Sequence, residues 1–387
     1  MYRLFAFKFL ADFWVLVPIL VPFYKTNGMS ATQILTIQAA FSLSQLLFEI
    51  PSGYLSDVIG RRKTLIAAAG LMFGGICLYA FSGTFWWFVA AELLLGVAGA
   101  LRSGTDSALL FDTLQEMNLE GRYKFFEGRA EFWCRTGTAV SSIAGGFLGA
   151  WVTLRLPFYV NMATALCMVF IALSLREPVR KRLPQGNPFV NILKISRYSI
   201  THAPLLKVML YAGIIGSTGV TAIWGYFLFY EKAGLPLYWY GVIFAALQMA
   251  SAFGARHSHA FVHRIGEKAC YTLVAFSGAV FICFGLTDSL WLIPLILADA
   301  FLWGTSTPLL LERVNVLTTS DIRATTLSVS SMVNRVLYIT GGPLFGWVTD
   351  HYSLATAFLA MGILYVLTVP VLTVSLLRGN ANRRFRL

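Results

Sequence analysis

Apolar runs of about 20 residues, set end to end between short polar breaks, leave this chain few folds to choose from. An α-helix rises about 1.5 Å per residue, so each run matches the roughly 30 Å hydrocarbon core of a bilayer. Twelve such runs start near residues 2, 30, 64, 85, 128, 156, 204, 238, 267, 289, 322 and 354. They take up nearly all of the 387 residues and leave almost nothing for a soluble domain. Only 12% of residues are charged, about half the share of a soluble domain, and the mean hydropathy is +0.69. The expected fold class is therefore an all-α membrane protein of twelve transmembrane helices.

The first run, "YRLFAFKFLADFWVLVPILVPFY", contains Lys8 and Asp12 and has no small-residue cleavage site, so it reads as a span and not as a signal peptide. Five cysteines, Cys77, Cys134, Cys167, Cys270 and Cys283, are scattered singly with no C-x-x-C spacing. They imply neither a metal site nor a disulfide framework, and no cofactor is expected.

The formal net charge of +12 could suggest nucleic acid, but its distribution points elsewhere. Most Lys and Arg fall in alternate loops and in the tails, leaving Lys25, Arg155 and Lys232 on the other side. That asymmetry is the positive-inside pattern, and it puts both termini in the cytoplasm with the lipid bilayer, not nucleic acid, as the partner. The longest polar stretch, Arg176 to Pro204, splits the chain into bundles at 1–175 and 204–387 with a linker over 176–203. Within it Phe189, Ile192 and Leu193 alternate with Lys194 and Arg197, which suits either a surface amphipathic helix or a basic linker.

An internal echo supports two related halves. "GTDSALLFD" (104–112) returns two hundred residues later as "GTSTPLLLE" (304–312), pairing Asp112 with Glu312; at the same offset Arg135 matches Arg335 and Gly146 matches Gly346. Duplicated six-helix bundles with a midplane site are a known transporter arrangement.

Between the second and third runs stands "GYLSDVIGRRKTL" (53–65), with Gly53, Leu55, Asp57, Gly60, Arg61 and Arg62 in the spacing G-x-L-x-D-x-x-G-R-R. It resembles the cytoplasmic loop signature of the major facilitator superfamily. The resemblance implies two pseudo-symmetric six-helix bundles, alternating access, and a cytoplasmic gate formed by this loop with Asp112 beside Arg135 and Glu312 beside Arg335. A decayed copy, "HAFVHRIGEKA" (259–269), keeps Gly266, has His263 at the Asp57 position and replaces the arginines by Glu267 and Lys268. His257, His259 and His263 cluster there and are read as surface residues, not as a metal site.

Ionisable residues within spans are functional candidates because they are costly in lipid. Lys8 with Asp12, Arg102 with Asp106, and Glu131 with Arg135 are each four apart and are expected to pair along one helix face. Glu92 and Asp299 have no such cation, so Asp299, with Glu92 and Asp12 in reserve, is the expected proton-coupling group. By the resemblance, helices one, four, seven and ten line the cavity, offering Trp224, Tyr226 and Trp303 to a substrate.

Drug exporters of that superfamily carry Arg-x-x-Gln-Gly in the fourth helix, where this chain has Glu92 and Leu95. They also carry Gly-Pro-x-x-Gly-Gly in the fifth helix, where "SSIAGG" (141–146) stands; "GGPLFG" (341–346) occurs in the eleventh. The expectation is a monomeric proton-coupled transporter of the inner membrane, favouring export of a small organic or amphipathic compound, with import of a metabolite or metal chelate by symport as its rival. An integral membrane enzyme is disfavoured by the absence of a zinc-binding pair, G-x-S-x-G or Walker loop. A passive channel would leave the duplicated gates unexplained.

Overall fold

The computed structural model describes residues 1–178, 197–319 and 322–381, and among them every regular element is helical. The elements are α1 (Tyr2–Ala11), α2 (Leu20–Thr26), α3 (Ala31–Ile59), α4 (Arg61–Phe81), α5 (Phe85–Arg102), α6 (Thr105–Glu116), α7 (Tyr123–Trp151) and α8 (Leu156–Ser174). They continue as α9 (Ala203–Lys232), α10 (Tyr238–Ile265), α11 (Glu267–Val274), α12 (Phe276–Leu286), α13 (Ile293–Val316), α14 (Arg323–His351) and α15 (Leu354–Ala381). The expected amphipathic segment around Phe189 lies outside the described residues.

Among the described residues, 8 segments are long and apolar enough to cross a membrane. They correspond to the runs starting near 30, 64, 85, 156, 204, 267, 289 and 354. The other four runs fold as helices with a different character. The first is broken between α1 and α2. Helix α7 carries Lys124, Glu127, Arg129, Glu131 and Arg135, α10 gathers Arg256, His257, His259, His263 and Arg264 in its last third, and α14 bears basic and hydroxyl residues through its length. These helices need protein or solvent around their polar faces, which is where a membrane protein builds its working surfaces.

Two compact units emerge. The first comprises 1–29, 36–188 and 235–245; the second comprises 30–35, 189–234 and 246–387. The first turns of α3 and α10 are thus each lodged in the other unit from the rest of the helix. The echoed glycines explain both lodgements. A Cβ on Gly146 would lie 2.8 Å from the Tyr238 carbonyl oxygen, and one on Gly346 would lie 2.7 Å from that of Ala31. Only a residue without a side chain permits such backbone approach. At the second lodgement Asp350 caps α3: its Oδ1 accepts from the Ala31 amide at 2.9 Å and its Oδ2 from the Thr32 amide at 2.8 Å. The Thr32 hydroxyl donates a third bond, at 2.6 Å.

The loop motif makes a matching structure in the first unit. Gly60 turns the chain at φ +109° and starts α4, and the amides of Arg61 and Arg62 donate to the two Glu177 oxygens at 2.9 and 2.7 Å. A carboxylate at a helix N-terminus satisfies free N–H groups and meets the positive end of the dipole. Gly266 turns at φ +83° ahead of α11, so the decayed copy keeps the turn although its charges have changed.

Candidate functional site

Helix α1 ends at Ala11, and the chain runs irregularly to Leu16 before a 3-10 turn at Val17–Ile19 leads into α2. Backbone freed at such a break must find partners inside the protein. Asn161 of α8, fully buried, supplies them: its Nδ2 donates to the Phe13 carbonyl at 2.7 Å and its Oδ1 accepts from the Leu16 amide at 3.0 Å. The Thr138 hydroxyl of α7 donates to the Asp12 carbonyl at 3.0 Å. Interrupted helices of this kind mark binding sites in secondary transporters.

Five ionisable side chains meet beside the break. Lys8 Nζ donates to Glu127 Oε1 at 2.7 Å and to Ser107 Oγ at 3.2 Å, and Ser107 Oγ donates to the same Glu127 oxygen at 2.6 Å. Arg102 pairs with Asp12 at 2.8 Å, each side chain roughly one-third exposed. Asp106 accepts the Ser107 amide at 2.7 Å and lies in the electrostatic reach of both Lys8 and Arg102. Three carboxylates thus face two cations, and the Arg102–Asp12 pair is the open side of the cluster.

These partners differ from the i,i+4 pairs expected from sequence spacing, for a local reason. Helix α1 stops before Asp12, and α5 stops at Arg102, where Gly104 turns left-handed at φ +72° to start α6. Neither Lys8–Asp12 nor Arg102–Asp106 therefore shares an unbroken helix face. Glu131–Arg135 does, within α7, and forms at 2.7 Å.

Glu92 sits apart, enclosed among aromatic rings. Its Oε1 accepts from Tyr79 Oη at 2.6 Å and Gln38 Nε2 at 2.9 Å, and Gln38 also donates to Tyr24 Oη at 3.1 Å. Phe23, Phe88 and Phe158 wall this network.

The residues expected to form a gate divide between the units. In the first, Arg61 ion-pairs with Asp112 and donates to the Ala108 carbonyl, and Arg62 donates to the Leu173 carbonyl at 2.7 Å. Asp112 was expected beside Arg135, which instead holds Glu131. Gly53 and Asp57 lie on the last two turns of α3. In the second unit, Glu312, His259, His263 and Arg313 line a cavity of about 330 Å³, and Arg335 lies midway along α14. His257 stands aside, bonded to the Phe253 carbonyl at 2.9 Å.

Asp299, on α13, accepts from Ser277 Oγ of α12 at 2.5 Å, and among the described residues no ion pair includes it. Trp224 and Tyr226 are buried, whereas Trp303 is 40% exposed. Sequence reasoning missed Glu127, Ser107, Asn161, Ser277, Glu177 and Asp350. Asn161 had left a signal, as the one amide in the apolar run "LPFYVNMATALC". Glu127 had not, being one charge among several in "YKFFEGRAEF".

A multi-pass helical protein with a broken first helix and charges gathered at the break has the makings of a membrane transporter, not an enzyme. The chain belongs to the Major Facilitator Superfamily, whose profile matches residues 4–320. It is 27% identical over 147 residues to the vacuolar membrane amino acid uptake transporter fnx2 of Schizosaccharomyces pombe, covering 37% of this chain. It is 31% identical over 115 residues to the inner membrane transport protein YajR of Escherichia coli, covering 30% of this chain. Each match spans 25% of the relative's own length. Among solved structures, the nucleoside transporter NupG superposes with a TM-score of 0.78 at 14% identity, covering 97% of this chain and 98% of that one. A D-xylose-proton symporter does so with 0.69 at 14% identity, covering 96% and 94%.

Proposed function

We propose that the chain is a proton-coupled secondary active transporter working by alternating access, a monomer of twelve spans in two pseudo-symmetric six-helix bundles. The bundles are residues 1–175 and 204–387 with a linker at 176–203, in the inner membrane with both termini cytoplasmic. Its cargo is a small organic or amphipathic compound, and its preferred direction is export. The observation that carries the coupling is Asp299. Within a bundle of apolar helices, this carboxylate is held by the Ser277 hydroxyl and enters no ion pair among the described residues. A charge at such depth costs at least about 2.5 kcal/mol, and a proton removes that cost. Glu92, tied to Tyr79 and Gln38, and Asp12, tied to Arg102, are the reserves. The gate is the loop of Gly53, Asp57, Gly60, Arg61 and Arg62 with Asp112 and Arg135, echoed by Glu312 and Arg335; the Arg61–Asp112 pair supports this assignment.

A second reading is symport into the cell of a metabolite or metal chelate, supported for a zwitterionic metabolite by the two signs of charge that Arg102 and Asp12 offer. One experiment addresses both. Solutes whose levels differ between cells with and without the gene are presented to proteoliposomes under an imposed pH gradient. The direction of accumulation separates export from import. Asp299→Asn is expected to abolish gradient-driven accumulation while preserving solute exchange; accumulation equal to wild type refutes proton coupling through Asp299.

A further inference from the structure

Three helices of the second unit bring hydroxyls and rings around Asp299 on α13. Ser277 on α12 bonds its Oδ1, and Tyr226 on α9 and Tyr365 on α15 both lie within electrostatic reach of it. Tyr365 Oη is engaged, donating to the Val274 carbonyl at 3.1 Å. Tyr226 differs. Its side chain is only 4% exposed, its ring is fixed against Phe284 at 5.1 Å and Phe358 at 5.9 Å, and its hydroxyl has no hydrogen-bond partner among the described residues. Burying a hydroxyl without a partner is unfavourable, so such a group calls for a reason. A phenylalanine would fill the same ring slot without that cost.

We propose that Tyr226 and Asp299 hold a water molecule between them, and that this water delivers the coupling proton to Asp299. The inference rests on the proton-coupling reading of Asp299. Tyr226 Oη donates to the water oxygen, and the water donates to Asp299 Oδ2, the oxygen that Ser277 leaves open. Buried waters settle where polar groups in an otherwise apolar wall lack protein partners, as the Tyr226 hydroxyl and the second Asp299 oxygen do among the described residues. In the transfer step a hydronium at this position gives one proton to the carboxylate, leaving neutral water and a neutral carboxylic acid. Tyr226 stays a phenol throughout and orients the water, so it is a positioning residue. The titratable groups with which Tyr226 and Asp299 interact electrostatically are each other, Tyr230 on α9 for Tyr226, and Tyr365 on α15 for Asp299.

The test needs protons alone as its probe. Full-length protein in lipid is taken through a pH jump while infrared difference spectra record the carboxylic acid C=O stretch in H2O and in D2O. Wild type is expected to give a band that Asp299→Asn removes, which identifies it. Tyr226→Phe is expected to move that band to higher wavenumber and to slow its appearance after the jump by about tenfold, the effect of losing about 1.4 kcal/mol. Ser277→Ala, which removes a donor the structure does show, calibrates the size of the frequency shift. A Tyr226→Phe band unchanged in frequency and rate overturns the inference while leaving the role of Asp299 standing. Absence of the band from wild type overturns both.

Discussion

The Lys8–Glu127 pair makes a quantitative prediction about what intramembrane charges do for this fold. At 2.7 Å and an effective dielectric constant near 20, the gross attraction is about 6 kcal/mol. Taking both ions out of water costs several kcal/mol each, so the pair's net contribution is small. Removing one partner is another matter, because it orphans the other and costs about 3–5 kcal/mol. The two sides are unequal: the Lys8 side chain is 7% exposed and that of Glu127 28%. Glu127→Gln leaves the better-buried ion only Asp106 as a counter-charge and is expected to cost about 2–3 kcal/mol. Lys8→Met takes the cation from both Glu127 and Asp106 and is expected to cost about 3–4 kcal/mol, with the Ser107 hydroxyl still donating to Glu127. The double variant is expected to recover at least about 2 kcal/mol of the summed loss. Reversible unfolding in mixed micelles, followed by tryptophan fluorescence, measures all three. The double variant should also stay inactive in proteoliposomes, because neutral side chains restore packing but not charge. Additivity within about 0.5 kcal/mol would refute the reasoning, since residues in direct contact do not behave independently.

Two further outcomes are expected. Gly304→Ala should lose about 1–3 kcal/mol and transport with it, because its methyl would run into the Ser251 backbone, whereas Gly341→Ala, with open space around it, should be neutral or slightly stabilising; equal midpoints in thermal unfolding would count against this helix contact. Single cysteines beside Lys25, Lys232 and Asp288 should react with an impermeant maleimide from outside intact cells and those beside Arg62 and Lys268 only after lysis; the reverse pattern would remove the orientation on which the gate rests.

How much of this was legible in the sequence depended on the range of the interaction. Run length and the loop signature are local, so the helices and the Gly60 turn could be read directly, and Gly266 announced a second turn of the same kind. Pairings at four-residue spacing were legible only where the helix continued. Glu131 found Arg135 inside α7, but Asp12 and Asp106 lay just past helix ends that no proline or glycine pattern had been taken to mark, and their real partners lie on other helices. The caps by Glu177 and Asp350 span 115 residues or more along the chain, beyond any periodicity. Asp350 has an ordinary surface composition around it, "GWVTDHYS", and nothing there points to residue 31.

The lodged first turns of α3 and α10 have a consequence for the ribosome. The first unit includes residues 235–245, so it lacks a packed surface against Gly146 until synthesis has gone well past the linker. The second unit includes residues 30–35, whose amides must wait for Asp350, 318 residues or more further along the chain, before they are capped. Capping of the α3 start is thereby tied to the synthesis of residues 346–350. A chain stalled or truncated before residue 346 would present an uncapped helix start to the membrane's quality-control proteases.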